Sequence, residues 1–101
     1  MKEDEKLFFK ECCERISNHG LSKEENQKRG VTPNRLFGGL SPITPREIIN
    51  EPNFPINYKR AWYLLEKWSG KDWYDYGVTL DLGWITKEGN EAYIKMFGST
   101  N

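Results

Sequence analysis

Tyr74-Asp75-Tyr76-Gly77-Val78-Thr79-Leu80-Asp81-Leu82-Gly83-Trp84 decides the fold class of this 101-residue chain. Every even position is apolar or aromatic and every odd one is polar or Gly. That is the two-residue period of a β-strand with one face buried. A lone strand cannot pair its own N–H and C=O groups, and no second long run of this kind exists in the sequence. Three arrangements satisfy it: the segment folds back as a hairpin, a short stretch near Val31 pairs with it, or another molecule supplies the partner strand. The hairpin is the preferred reading, with the bend near Gly77 or Asp81–Gly83.

Downstream, Thr86 is placed to cap a last helix, Glu88 suits its N-terminal dipole, and Ala92, Tyr93, Met96 and Phe97 give it an apolar face. Upstream, Ala61, Leu64, Leu65 and Trp68 recur at i, i+3, i+4 and i+7, which predicts a helix from Asn57 as cap to Trp68, closed by Ser69-Gly70. Lys59, Arg60, Tyr63, Glu66 and Lys67 lie off that stripe. Before it, Thr44-Pro45-Arg46-Glu47 combines a capping Thr, Pro at the first helical position and Glu three after the cap. This short helix ends by Glu51, because Pro52 follows, and it turns Ile48 and Ile49 inward.

The N-terminal part predicts a helix whose stripe is Phe9, Cys12, Cys13 and Ile16, widened by Leu7 and Phe8 and stopping at His19-Gly20. Ser22 and Glu25 have capping-box spacing in a stretch, 22–29, with no apolar residue. Residues 30–43, broken by Gly30, Pro33, Gly38, Gly39 and Pro42, read as an ordered connector packed down through Val31, Leu36, Phe37, Leu40 and Ile43. The whole reads as one domain, mainly α with a small β-hairpin, an α+β fold of four to five helices, with a helix over 1–20 and a core over 44–97.

Composition narrows the function. Aromatic residues make up 14% of a chain that is only 37% hydrophobic, so the core is built from rings and disorder is excluded. Fifteen basic side chains balance fifteen acidic ones, which removes the global footprint of a strong nucleic-acid binder. Cys12 and Cys13 are adjacent and cannot form an ordinary structural disulfide. With no basic-then-apolar leader and no apolar run near the ~18 residues of a membrane span, the cytoplasm is the expected compartment and no membrane is involved.

The order of elements over 44–97 is similar to that of a winged helix-turn-helix domain. Ile85-Thr86-Lys87-Glu88-Gly89 after Trp84 resembles the Leu-Thr-x-x-Gly segment that leads many winged-helix wings into their last helix. The resemblance implies a DNA-binding transcriptional regulator in which the helix from Asn57 reads DNA. Its duplex contacts would come from Arg46, Asn57, Tyr58, Lys59, Arg60, Lys67 and Lys71.

A second reading starts from charge. Asp72, Asp75 and Asp81 would repel phosphate from the hairpin, whereas Trp73, Tyr74, Tyr76 and Trp84 suit a protein interface, because aromatic residues are enriched at hot spots. This reading makes the chain a protein-interaction module, for instance a small phage or mobile-element protein that occupies a host factor. The N-terminal helix is in addition a candidate homodimer surface.

No enzyme is expected. The one histidine, His19, falls at a predicted helix end, where a cation suits the dipole. Cys12 and Cys13 read as small core hydrophobes, and six and seven residues of separation keep them from converging with His19 on a metal. The odd-numbered aspartates read as the wet side of a half-buried strand, not as a glycosidase pair. Arg35-Leu36-Phe37-Gly38-Gly39 lacks phosphate-loop spacing. Neither cofactor nor metal is implied.

Overall fold

A computed structural model describes residues 1–28 and 43–98. The connector expected over 30–43, including Val31 and the Arg35–Gly39 stretch, lies outside the described residues except for Ile43. Among the described residues the chain forms five helices and one hairpin, an α+β fold. The helices are α1 (Glu3–Arg15), α2 (Lys23–Lys28), α3 (Pro45–Ile49), α4 (Tyr58–Gly70) and α5 (Lys87–Phe97); β1 (Tyr74–Tyr76) and β2 (Gly83–Ile85) form the hairpin. No helix of the described residues is long and apolar enough to cross a membrane.

Three helix starts follow directly from local chemistry. Thr44 accepts the Glu47 N–H, Asn57 the Arg60 N–H and Thr86 the Gly89 N–H, each relieving one of the donors that a helix N-terminus leaves unpaired. Ser22 and Glu25 form the reciprocal capping box of α2, Ser22 N–H donating to Glu25 Oε1 and Glu25 N–H to Ser22 Oγ, and α2 buries nothing.

Trp68 on α4 is the centre of the core. Its ring lies 5.2 Å from Phe8 and 5.0 Å from Phe9 of α1, and Phe9 continues to Trp73 at 5.3 Å. Around these rings pack Cys12, Ile16, Ile48, Ala61, Leu64, Leu65, Tyr74 and Ile85, all 1% exposed or less. Each fully buried large apolar side chain stabilises the fold by roughly 1.5–3 kcal/mol. Trp68 Nε1 is not left unpaired: it donates to Glu5 Oε2 at 3.0 Å, and Lys67 Nζ reaches Glu5 Oε1 at 2.9 Å. The α1 stripe is therefore consumed inside the chain, and Leu7 is its residue that stays 41% exposed.

The hairpin pairs antiparallel in the register Tyr74↔Ile85, Asp75↔Trp84 and Tyr76↔Gly83. The eleven-residue alternation is thus two short strands joined by a six-residue loop, 77–82. Alternation does not survive in that loop: Val78 is 88% exposed, whereas Asp81, expected on the wet side, is 1% exposed. The cause is a turn held from inside. Tyr74 Oη donates to Leu80 O at 2.6 Å and accepts from Gly83 N–H at 2.8 Å, which rolls Leu80 and Asp81 inward.

The first helix also ends earlier than His19-Gly20. Ile16 is already extended, and residues 16–19 run as a short segment beside β2, joined to it by a single isolated bridge. Ile85 N–H donates to Ser17 O and His19 N–H to Ile85 O, both at 2.8 Å. The bridges Asn18↔Ile85 and Ile16↔Ile43 are parallel. Pairing with β2 outweighs one more helical turn. His19 is therefore not a helix-end cation; its ring stacks on Trp84 at 5.3 Å. On α5, Tyr93 is buried as expected, but Met96 is exposed, and Gly89 with Asn90 takes the inward positions. Asn90 Oδ1 accepts from buried Asn18 Nδ2 at 2.9 Å, which ties α5 to the 16–19 segment.

Candidate functional site

The leading ends of α3 and α4 meet the hairpin loop at Asp81. Arg46 Nε donates to Asp81 Oδ2 at 2.8 Å and Nη2 to Oδ1 at 3.0 Å, a bidentate pair. Tyr58 Oη donates to Oδ2 at 3.0 Å and Thr79 Oγ1 to Oδ1 at 2.8 Å. The Arg46 N–H also donates to the Asp81 carbonyl at 3.0 Å. Arg46 above all, then Thr79 and Tyr58, hold the Asp81 carboxyl below the usual aspartate range despite its burial. Burial and the adjacent carboxylate push the Tyr58 hydroxyl up.

On its other flank α4 faces α1. Arg60 donates through Nε and Nη2 to both oxygens of Asp4, at 2.9 and 3.2 Å, and its guanidinium lies 5.4 Å from the Tyr63 ring centroid. Lys67 is committed to Glu5. Burial works against the charge on Glu5 most, but Lys67 and Trp68 together outweigh it and hold that carboxyl below its ordinary value.

Of the seven residues expected at DNA, the structure brings Arg46 and Tyr58 together on Asp81 and sets Arg60 and Lys67 on the α1 flank. Asn57 is occupied as the α4 cap. Lys71 places its ammonium 4.6 Å from the Trp73 ring centroid. Lys59 is exposed and makes no ion pair among the described residues. The aromatic set divides too. Tyr74 is 1% exposed and serves the turn, and Trp73 is half-buried against Phe9. Tyr76 is 41% exposed, and Trp84 is half-buried on the outer face of β2 beneath His19.

Sequence reasoning missed Asp4, Glu5, Val78 and the partners of Asp81. The acidic first turn of α1, Glu3-Asp4-Glu5, was visible, but such a turn ordinarily answers its own helix dipole, and nothing local assigns it to cations more than fifty residues away. An open cleft between the end of α4 and the start of α5 gathers Ser69, Asp72, Asp75, Thr86 and Glu88. Among the described residues no cluster of His, Cys, Asp and Glu could hold a metal ion. Cys12 and Cys13 are buried in the core and form no disulfide among the described residues, and burial pushes the Cys12 thiol well above its ordinary value, which keeps it from acting as a thiolate.

Neither a family model, a characterised protein nor a solved structure gives a match to this chain.

Proposed function

We propose that the protein is a non-enzymatic module that binds another protein through its hairpin, with Tyr76, Val78 and Trp84 as contact side chains. The observation that carries this reading is the 88% exposure of Val78 on a loop fixed at both ends. Tyr74 Oη clamps Leu80 and Gly83, and Asp81 is bound by Arg46, Tyr58 and Thr79. An apolar side chain held out on an ordered loop loses little conformational entropy on binding, so more of its contact energy appears as affinity. Tyr76 and Trp84 supply the large, stiff contact area typical of hot spots.

The test is capture of a partner from cell extract, followed by reconstitution with that partner in purified form. Val78→Asp and Tyr76→Ala are each expected to weaken the purified pair by about tenfold or more, since a hot-spot truncation costs at least ~2 kcal/mol. Equal affinity of both variants and the parent protein would remove the hairpin from the interface.

One observation favours a second reading, a winged-helix DNA-binding protein. Arg46 and Tyr58 converge at the leading end of α4, where such a domain contacts DNA, and the order α3, α4, hairpin, α5 resembles that family. This reading requires duplex binding that weakens steeply between about 50 and 200 mM salt.

A further inference from the structure

We propose that Asp4 and Asp81 are internal counter-anions that keep polyanions, nucleic acid above all, off α4, Asp81 at its leading end beside α3 and Asp4 on its α1 flank. This inference does not depend on the hairpin being the protein-binding surface.

The donors that meet Asp81 are those a phosphate would use: a guanidinium fork from Arg46, the Tyr58 and Thr79 hydroxyls, and the adjoining Arg46 N–H on the aspartate's own carbonyl. Asp81 is 1% exposed, while the Arg46 side chain it holds is 48% exposed. The cation is at the surface, and its countercharge sits behind it. Asp4 holds Arg60 by the same fork, Nε and Nη2 on its two oxygens, although there the carboxylate is at the surface beside the cation, 38% exposed against 30%.

Neither is a pairing between neighbours on one helix. The partners are 35 and 56 residues apart, and the carboxylates come from the hairpin loop and from α1. They are present only when the chain is folded, at a fixed distance from the cations. An intramolecular group held in this way competes at an effective concentration of millimolar or more. A phosphate from solution meets arginines that are already occupied. With Lys67 on Glu5 as well, α4 and its cap are left with Lys59 as a cation without an ion pair among the described residues, and with Lys71 on Trp73. These two cations, neither paired with a carboxylate among the described residues, neutralise about two phosphates, giving a salt slope of about −1.8; releasing Arg46 and Arg60 would about double it.

The experiment is fluorescence anisotropy of a labelled random-sequence duplex of about 20 base pairs, titrated between about 50 and 200 mM salt. It compares the parent protein with Asp4→Asn/Asp81→Asn and with Glu24→Gln/Glu91→Gln. The second pair makes the same change in net charge at exposed carboxylates of α2 and α5. The Asp pair is expected to tighten binding by about tenfold or more at the lower salt and to steepen the slope by about 1.8, whereas the Glu pair changes affinity by less than about threefold. Adding Arg46→Met and Arg60→Met to the Asp pair should abolish the gain. Equal gains from the two pairs would reduce the effect to net charge and overturn the proposal; so would no gain from a folded Asp pair. Should Asp81→Asn fail to fold, Asp4→Asn alone, at a surface position, must steepen the slope by about 0.9, and its failure to do so overturns the proposal equally.

Discussion

Gly89 shows what one missing atom allows. It is the third residue of α5, where its N–H meets the capping Thr86 hydroxyl at 3.0 Å. A Cβ there would stand 2.1 Å from the Trp73 carbonyl oxygen and 3.0 Å from Ile85 Cγ2. The chain entering β1 therefore passes directly over the first turn of α5, which explains physically why Gly follows Thr86 at this spacing. Gly70 is the contrast, with no atom within 4 Å of a built Cβ. We expect Gly89→Ala to cost about 1–3 kcal/mol through overpacking. Gly70→Ala should stabilise by about 0.4–1 kcal/mol, because Ala restricts the unfolded chain at a position it can occupy without strain. Urea midpoints at constant m value check both.

At the scale of elements, legibility followed the range of the interaction. The caps Thr44, Asn57 and Thr86 were readable because donor and acceptor lie three residues apart. The stripe Ala61, Leu64, Leu65 and Trp68 was readable because one helix face sets it. Asp81 was misread because what draws it inward, Arg46 and Tyr58, lies 35 and 23 residues away in sequence. A two-residue period also fits a strand–turn–strand, and only the Tyr74 hydroxyl clamp shows where the strand stops. The end of α1 was missed for a similar reason. Ile16 is as good a residue for the next helical turn as for a strand, and its choice is made by Ile43 and β2. Two measurements belong here. Thr86→Ala should cost about 1 kcal/mol by loss of a cap, read from thermal unfolding. Val78→Asp should leave the melting temperature within about 2 °C of the parent protein's, since the side chain touches little of the fold.

Across the whole molecule, stability is tied to acid. Asp4, Glu5, Glu51 and Asp81 all have carboxyls held below their ordinary values, and each is paired with a cation from another element: Arg60, Lys67, Arg15 and Arg46. A carboxyl with a depressed folded-state pKa binds its proton more readily in the unfolded chain. Its contribution is therefore complete above the unfolded values, 3.8 for Asp and 4.5 for Glu, and is lost as pH falls through and below them. Urea titrations at about pH 7, 4 and 3 should show stability falling steeply over the last interval, and Asp81→Asn should flatten that fall. A parent protein equally stable at pH 7 and pH 3 would mean these pairs contribute nothing.

The docking of residues 16–19 beside β2 has a kinetic consequence. It brings Asn18 to Asn90, 72 positions further along the chain, whereas the hairpin and the helix starts close loops of a few residues. Closing so long a loop is entropically expensive, and its contacts repay that cost only once both ends are in place. The hairpin and α4 can therefore order early, with the N-terminal segment docking last and sealing the edge of β2. Until it docks, β2 offers an open edge to any other extended chain. The Ile85 and His19 amides, donors across that seam, should accordingly exchange with solvent deuterium together, reporting the moment at which the two ends of the protein come apart.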